Sequence, residues 1–226
     1  MTYKAVLFDL DGTLLDTLDD LRDAMNRALA TFGFPPHTLE EVRSFVGNGI
    51  RDYTLRAIPA GTDFETAVRV LNAFKADYAV HCKDKTAPYA GILPLLAELK
   101  QSGIQTAIVS NKADFAVKAL AEEYFPGLCD CALGESPEIP KKPAPDMIRK
   151  VLNTIGVSEA DALYVGDSDV DFDTAMNAGL DVILVDWGFR SRALLESRLD
   201  TIPKERSGAI ASTPEELLRL IKDGIA

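Results

Sequence analysis

Short apolar runs recur along the chain, and each of them ends at a polar turn. Four such runs of four residues are evident, at 5–8, 106–109, 162–165 and 182–185. Runs of this length are typical of strands that are buried on both faces of a parallel sheet. Stretches with helical periodicity lie between and around them, at Ile92–Gln101, Asp114–Tyr124, Asp146–Ile155 and Asp171–Asn177. This alternation predicts an α/β fold with a doubly wound, Rossmann-like parallel sheet.

The region from residue 16 to residue 88 departs from this alternation. It contains successive stretches of helical periodicity and no evident strand, and its joints are rich in Gly and Pro. The predicted helices span Thr17–Phe32, Leu39–Val46, Ile50–Ile58 and Phe64–Cys82. We therefore expect residues 16–88 to form a helical lobe inserted after the first strand, and residues 1–15 and 89–226 to form the α/β core. A last helix with a structural role is predicted over Thr213–Ile225.

The balance of charges limits the partners of such a chain. Its 226 residues include 35 acidic and 24 basic side chains, which gives a formal net charge of −11. Binding to nucleic acids or to anionic membranes needs clustered Lys and Arg, so neither is expected. No apolar stretch approaches the ~18 residues that span a bilayer, and residues 1–4 lead into a strand without the features of a signal peptide. A cytoplasmic monomer or homodimer that acts on a small molecule is expected.

Cysteine and histidine do not suggest a metal centre of their own. Cys82, Cys129 and Cys131 lack the paired spacing of a zinc site, and we expect three reduced thiols. His37 and His81 lie far in sequence from the other polar motifs. A zinc enzyme, or one with a histidine base, is therefore not expected.

Acidic side chains follow two of the predicted strands at the point where each strand ends. Asp9 and Asp11 come after the first run, and Asp167 and Asp171 come after the third. Because ligands bind beyond the carboxyl ends of strands in open α/β sheets, these acids are expected to converge. Like charges at short range raise one another's pKa, and a hard divalent cation, Mg²⁺ above all, would relieve the repulsion. The alternative is that Asp9 and Asp11 only cap a turn, but a buried acid is costly and a second pair recurs.

Four motifs at these strand ends make a specific pattern. They are Asp-Leu-Asp-Gly-Thr at 9–13, Val-Ser-Asn-Lys at 109–112, the lysine before Pro-Ala-Pro-Asp at 143–146, and Gly-Asp-Ser-Asp-Val-Asp at 166–171. The chain thereby resembles phosphatases of the haloacid dehalogenase superfamily, and among them the phosphoglycolate phosphatases. The motifs that carry the resemblance extend from residue 9 to residue 171.

The resemblance implies a role for each acid. Asp9 would attack phosphorus and form an aspartyl-phosphate, and Asp11 would act as general acid and then as general base. Asp9, the backbone carbonyl of Asp11 and Asp167 would hold Mg²⁺, with Asp171 either a further ligand or a partner of the ligands. Gly12 would allow a tight turn beside the metal.

The resemblance also implies a set of groups that bind the phosphoryl oxygens. Lys142 would supply positive charge to the transferring group, whereas Lys141 is interpreted as a solvated loop charge. Lys112 would either bind substrate or be a surface charge at a helix start. The hydrogen-bond donors to the phosphoryl oxygens would be Thr13, Ser110 and Asn111.

The inserted lobe would be the cap of this family, which closes over the core and selects the substrate. Its loop at residues 47–51 contains two glycines and then a cation. Gly49 would lie in the part of this loop that approaches a small anionic substrate. Arg51 would pair with a substrate carboxylate, and a surface salt bridge is the alternative for it.

The expected function is Mg²⁺-dependent hydrolysis of a small phosphorylated metabolite. The resemblance favours 2-phosphoglycolate, which would yield glycolate and phosphate. Other sugar phosphates, nucleotides and pyrophosphate stay open as substrates, as does a phosphoryl-transferring mutase. The mutases of this kind carry a histidine early in the first cap helix, and none is present around Leu18–Leu21. Dehalogenases lack an acid equivalent to Asp11. A noncatalytic module that binds a phosphorylated metabolite or a protein is the remote alternative.

Overall fold

The computed structural model of the protein describes residues 3–225. Its strands, numbered along the chain, are β1 (Ala5–Phe8), β2 (Leu15–Asp16), β3 (Ala87–Pro88), β4 (Gln105–Ala113), β5 (Cys131–Glu135), β6 (Ala162–Gly166), β7 (Asp181–Val185) and β8 (Gly208–Ala211). Six of them form one parallel sheet in the order β5-β4-β1-β6-β7-β8. This is the strand order of a doubly wound, Rossmann-like sheet, so the predicted fold class is confirmed.

The helices of the described part lie around this sheet and in one long insertion. They are α1 (Leu18–Ala30), α2 (Leu39–Phe45), α3 (Ile50–Ala57), α4 (Phe64–His81), α5 (Ile92–Gln101), α6 (Asp114–Tyr124), α7 (Asp146–Ile155), α8 (Asp169–Ala178), α9 (Arg192–Leu199) and α10 (Pro214–Asp223). The predicted bounds of α5, α6 and α7 are confirmed. α8 begins two residues earlier than predicted, because Ser168 and Asp171 form a reciprocal cap at its start. Between residues 3 and 225, no helix has both the length and the apolar composition that crossing a membrane requires.

Alternation along β1 explains why both faces of the sheet are covered. Val6 and Phe8 face one apolar cluster, which includes side chains of α5, α6 and α10. Ala5 and Leu7 face the other, which includes side chains of α7, α8 and α9. All four side chains are fully buried, and burying a residue such as Phe8 or Leu7 stabilises the fold by roughly 1.5–3 kcal/mol. The packed sheet therefore holds the loops at its carboxyl edge in fixed positions.

Helices α1–α4, with the loops that join them, are here called the helical insert. They pack on one another around a third apolar cluster, which Phe189 joins from the loop after β7. Within this cluster the ring of Phe74 lies 5.4 Å from that of Tyr53 and 5.4 Å from that of Tyr78. The predicted division of the chain at residues 16 and 88 into core and inserted lobe stays a prediction.

The helical insert is connected to the sheet by a ribbon that the sequence does not predict. β2 and β3 pair antiparallel, with Leu15 opposite Pro88 and Asp16 opposite Ala87. The expectation that residues 16–88 contain no strand is therefore wrong at its two ends. Strands of two residues show no periodicity, so the pattern of apolar residues cannot reveal them.

Two edge strands and one helix are also missing from the sequence prediction. β5 and β8 are the two edges of the sheet, and both contain small or polar residues, such as Gly134 and Glu135 in β5 and Gly208 in β8. An edge strand has one neighbour and needs a less apolar composition than a central strand. α9 buries a single side chain, that of Leu195, so it has no periodic apolar face.

Candidate active site

The acidic cluster lies where the winding of the sheet reverses direction, between β1 and β6. Asp9 directly follows β1, and its backbone N–H donates to the carbonyl of Val165 in β6 over 2.9 Å. Asp167 directly follows β6. One carboxylate oxygen from each of Asp9, Asp167 and Asp171 lies within 4.8 Å of the others. The sheet therefore brings these three acids together, as the strand-end pattern predicts.

Asp9 has an oxygen that is buried and has no hydrogen bond. Lys142 Nζ lies 2.9 Å from Asp9 Oδ1, but the angles do not make a hydrogen bond, and Oδ1 has no other partner in the described part. Burial raises the pKa of Asp9 to about 6; the charge of Lys142 opposes this shift and that of Asp171 adds to it. This oxygen therefore has the Lys142 ammonium as a neighbouring charge and no hydrogen-bond donor.

Asp167 is held from two sides by the backbone and by a hydroxyl. Its Oδ1 accepts from Thr13 Oγ1 over 3.2 Å, and its Oδ2 accepts from the backbone N–H of Phe189 over 2.7 Å. Burial, followed by the charges of Asp171 and Asp9, raises the pKa of Asp167 well above its ordinary value. The Thr13 hydroxyl, predicted to donate to a phosphoryl oxygen, here donates to Asp167.

Steric contacts explain why the residue between Asp11 and Thr13 is a glycine. Gly12 has a φ of +87°, and a Cβ on it would lie 2.5 Å from Oδ2 of Asp167. A side chain at this position would displace the Asp167 carboxylate. The turn therefore requires glycine both for its backbone conformation and for the close approach of Asp167.

Asp171 is fully buried and both of its oxygens are occupied. Oδ1 accepts from Lys142 Nζ over 2.7 Å and from Tyr164 Oη over 3.2 Å. Oδ2 accepts from Ser168 Oγ over 2.6 Å and from the backbone N–H groups of Asp167 and Ser168. Of the two roles that the sequence leaves open for Asp171, this geometry favours a partner of the ligands, which holds Lys142 and the loop after β6.

The donor set of the cluster fits Mg²⁺. Three buried carboxylates, those of Asp9, Asp167 and Asp171, face one buried ammonium group, that of Lys142. Negative charge is in excess in this cluster, and one oxygen of Asp9 accepts no hydrogen bond. Hard oxygen donors with excess negative charge are the ligands that Mg²⁺ takes in proteins.

Asp11, which follows β1, and polar residues within β4 form the second side of the site. Ser110 is buried and lines the pocket together with Asp11. Asn111 is also buried, but its side-chain amide is used within the protein: it donates to the carbonyls of Gly47 and Lys142 and accepts from the backbone N–H of Lys142. Asn111 therefore joins the loop at Gly47 to the loop at Lys142, whereas the sequence predicts that its side chain donates a hydrogen bond to a phosphoryl oxygen.

Two lysines differ from their interpretation in the sequence. Lys112 is buried and pairs with Asp11 at 3.0 Å, so the interpretation of Lys112 as a surface charge is wrong. Lys141 is half-buried and donates to the carbonyl of Asn48 and to Asp52 of the helical insert. Lys141 is therefore a link between the sheet side and the insert, not a solvated loop charge.

The pocket over the acids lies between the carboxyl edge of the sheet and the helical insert and has a volume of about 60 Å³. Gly49 lines it, as predicted, and a Cβ there would lie 2.9 Å from Oε2 of Glu135. Arg51 is exposed and does not line it. The other side chains that line it from the insert are Leu21, Val46, Ile50 and Tyr53.

Arg190 and Phe189 line the pocket, and the sequence does not single them out. Both follow β7, whose apolar run ends at residue 185. The same reasoning that selects Asp9 and Asp167 as residues after a strand end would have selected this loop. Neither residue carries a recognisable motif, so nothing else in the sequence indicates them.

Residues 6–185 match the sequence pattern of the family described as haloacid dehalogenase-like hydrolase. The chain belongs to this family. The resemblance drawn from the four motifs is thereby confirmed.

Relatives of this haloacid dehalogenase-like hydrolase include named enzymes. The chain is 31% identical over 227 residues to the phosphoglycolate phosphatase of Mesorhizobium japonicum, covering 97% of this chain and 98% of the relative. It is 36% identical over 197 residues to the phosphoglycolate phosphatase of Rhodospirillum rubrum, covering 82% of this chain and 80% of the relative.

Solved structures of similar proteins share the fold over nearly the whole chain. A candidate phosphoglycolate phosphatase from Lactobacillus delbrueckii subsp. bulgaricus superposes with a TM-score of 0.91 at 38% identity, covering 98% of this chain and 99% of the other. CbbY from Rhodobacter sphaeroides, solved in complex with phosphate, superposes with a TM-score of 0.72 at 26% identity and 96% coverage of each chain.

Proposed function

We propose that this hydrolase is a Mg²⁺-dependent phosphatase that cleaves a small phosphomonoester, 2-phosphoglycolate, through an aspartyl-phosphate on Asp9. The observation that carries the proposal is the cluster of Asp9, Asp167 and Asp171 at the pocket, in which Oδ1 of Asp9 is buried and accepts no hydrogen bond. The relatives named phosphoglycolate phosphatase support the substrate, because one of them aligns over 97% of this chain.

Asp9 is the nucleophile in the first half of the reaction and water in the second, and Asp11 carries the proton in both. A carboxylate oxygen of Asp9 attacks phosphorus, the bond from phosphorus to the leaving oxygen breaks, and Asp11 gives its proton to that oxygen. Asp11 then takes a proton from water, whose oxygen attacks phosphorus. The bond between phosphorus and Asp9 breaks, and phosphate leaves.

The charge of the phosphoryl group needs cations around it. Mg²⁺, when bound by Asp9, Asp167 and the backbone carbonyl of Asp11, supplies positive charge to the phosphoryl oxygens. Lys142 lies 2.9 Å from Asp9 and is held in place by Asp171. It contributes a second positive charge, and the Ser110 hydroxyl contributes a hydrogen bond.

The helical insert acts as a cap that excludes water from the pocket. Ile50 and Tyr53 of the insert, together with Phe189, give the pocket an apolar wall. A dry pocket strengthens the electrostatic interactions within it and keeps water from the aspartyl-phosphate until the leaving group has departed.

The proposal is tested by measuring phosphate release from a panel of phosphomonoesters. The panel contains 2-phosphoglycolate, sugar phosphates, nucleotides and pyrophosphate, each with Mg²⁺ and with a chelator. We expect 2-phosphoglycolate to be turned over fastest, and both the chelator and Asp9→Asn to abolish activity. Asp161→Asn, at the opposite end of β6, is the matched control and retains activity. Activity that survives both the chelator and Asp9→Asn contradicts the mechanism, and equal turnover of all substrates contradicts the substrate assignment.

A further inference from the structure

Lys112 is a buried cation of the site to which the proposed reaction gives no role. It lies near the end of β4, and its side chain is 4% exposed. A buried ammonium group is costly unless it is paired, so its partners indicate what it does.

The ammonium group of Lys112 has three acceptors for its three N–H bonds. Nζ donates to Oδ1 of Asp11 over 3.0 Å, to Oδ2 of Asp11 over 3.2 Å and to Oη of Tyr78 over 2.7 Å. It also lies 4.7 Å from the centre of the Tyr78 ring. Because an ammonium group has three donors and no acceptor, Lys112 has no donor left for a substrate. Its geometry therefore favours an action through Asp11 over direct substrate binding.

The orientation of Asp11 depends on this contact. Among residues 3–225, Lys112 is the one side chain that donates a hydrogen bond to the Asp11 carboxylate. Asp11 lines the pocket and is 20% exposed, so packing alone does not fix it. A carboxylate that accepts hydrogen bonds through both oxygens keeps one orientation, whereas a carboxylate without such bonds adopts several. Proton transfer needs a fixed orientation of the carboxylate.

Tyr78 connects this pair to the helical insert. It lies on α4, and its ring stacks on that of Phe74, which in turn packs edge-on against Tyr53. Tyr78 is therefore fixed within the apolar cluster of the insert. Its hydroxyl accepts from Lys112, so this hydrogen bond joins the pair of Lys112 and Asp11 to the insert.

We propose that Lys112 is a positioning residue that orients Asp11 for proton transfer when Tyr78 of the helical insert lies against it. This role rests on the proposed function, because it takes Asp11 as the proton carrier. When Asp11 is protonated, the proton occupies one oxygen and Lys112 keeps its hydrogen bond to the other. The proton passes from Asp11 to the leaving oxygen as that oxygen's bond to phosphorus breaks, and Lys112 itself neither gains nor loses a proton.

Two substrates with different leaving groups distinguish this role from others. The alkoxide that leaves from 2-phosphoglycolate needs a proton, whereas the nitrophenolate that leaves from 4-nitrophenyl phosphate departs with little protonation. kcat/KM reports the steps up to the first irreversible one, which here is loss of the leaving group. A residue that orients the general acid therefore affects kcat/KM for 2-phosphoglycolate more than for 4-nitrophenyl phosphate.

We expect Lys112→Met to lower kcat/KM by about 100-fold for 2-phosphoglycolate and by less than about tenfold for 4-nitrophenyl phosphate. A loss of about 100-fold is within the contribution of general acid catalysis. Tyr78→Phe lowers the first value by about three- to tenfold, since the hydrogen bond to the insert is lost and Lys112 remains. Tyr78→Phe adds no further loss to Lys112→Met, because the two act as one unit. Lys118→Met and Tyr3→Phe, which remove an amine and a hydroxyl elsewhere, leave both values unchanged.

Each other outcome has a definite meaning. Equal losses for the two substrates overturn the positioning role. A weaker apparent affinity for 2-phosphoglycolate, with kcat unchanged, also overturns it and assigns Lys112 to substrate binding. If circular dichroism shows that Lys112→Met is unfolded, the difference between the two substrates in Tyr78→Phe decides. A wild-type protein that hydrolyses neither substrate overturns the proposed function itself, whereas an active wild type with an equally active Lys112→Met overturns the role of Lys112 alone.

Discussion

Arg190 and Val46 are joined by a hydrogen bond that links the sheet to the helical insert. Arg190 Nη2 donates to the carbonyl of Val46 over 2.7 Å, and Nη1 donates to the carbonyl of Arg43 over 2.9 Å. Both carbonyls lie at the C-terminal end of α2, where the last carbonyls have no partner inside the helix. One side chain of the loop after β7 therefore fixes the end of α2 over the pocket.

Loss of this contact should loosen one specific segment of the insert. We expect Arg190→Ala to lower the free energy of opening of residues 43–49 by about 2 kcal/mol, because hydrogen bonds to a charged group contribute about 1.5–3 kcal/mol. Amide hydrogen exchange there should accelerate by more than about tenfold, since about 1.4 kcal/mol is a factor of ten. Arg219→Ala, which removes an exposed guanidinium on α10, should leave this exchange unchanged. Unaltered exchange in Arg190→Ala would show that other contacts hold the segment.

Metal binding should stabilise the protein more at neutral pH than in acid. Burial raises the pKa of Asp9 from 3.8 to about 6 and that of Asp167 in the same direction. Between pH 3.8 and about pH 6, Asp9 holds a proton in the folded, metal-free protein but not in the unfolded chain. The free energy of unfolding therefore falls as the pH rises through this range. Above about pH 6 the Asp9 carboxylate is charged, and its charge repels those of the neighbouring acids until a cation binds. We expect the increase in Tm on adding Mg²⁺ to be larger at about pH 7.5 than at about pH 5.

The variant Asp9→Asn provides the control for this measurement. It removes one charge of the cluster and one ligand of the metal while keeping the shape of the side chain. Mg²⁺ should then raise Tm little at either pH. An equal effect of Mg²⁺ on wild type and Asp9→Asn would place the bound cation elsewhere.

Gly12→Ala should disrupt the acidic cluster by displacing Asp167. The added Cβ meets Oδ2 of Asp167 at 2.5 Å, and the residue also has to adopt a φ of +87°. Gly33→Ala is a matched control, because Gly33 has a φ of +70° and a Cβ there would meet nothing within 4 Å. Both variants should lose about 1 kcal/mol of stability from the backbone, as measured by urea denaturation. Of the two variants, Gly12→Ala alone should also lose the stabilisation by Mg²⁺. If Mg²⁺ still stabilises Gly12→Ala, the Asp167 carboxylate can move aside without loss of metal binding.

Asp20→Ala should destabilise the connection between insert and sheet. The buried Asp20 carboxylate accepts from the backbone N–H groups of Lys85 and Thr86 and from the Thr86 hydroxyl. Removing it leaves these donors without a partner, and we expect a loss of roughly 3 kcal/mol in the free energy of unfolding. Asp19→Ala removes an exposed carboxylate that pairs with Arg22, and should cost less than about 1 kcal/mol. Equal losses in the two variants would contradict the role of Asp20.

The position of the site follows from the sequence because it depends on the order of elements. Asp9 and Asp167 each come directly after an apolar run, and parallel strands that alternate with helices bring such residues to one edge of the sheet. That reasoning needs no knowledge of side-chain contacts. It identifies the acids that form the cluster, and it would have drawn attention to the loop of Arg190 if applied to every strand end.

The contacts of the lysines do not follow from the sequence because their partners are distant along it. Lys112 is 101 residues from Asp11 and 34 residues from Tyr78, and a lysine is more often exposed than buried. Its burial depends on how α4 lies over β4, which periodicity does not determine. Arg51 shows the converse: its position in a glycine-containing loop favours a role in binding, yet its side chain is exposed to solvent.

The ribbon of β2 and β3 brings the start and the end of the helical insert side by side. Leu15 faces Pro88 and Asp16 faces Ala87, so the two connections are separated by the spacing of adjacent strands, about 5 Å. A segment whose termini meet in this way can be exchanged as a cassette without altering the path of the remaining chain. Transplanting residues 17–86 from a relative would thus replace the side chains that the insert contributes to the pocket while leaving Asp9, Asp167 and the sheet in place. Substrate preference and chemistry could then evolve, or be engineered, one at a time.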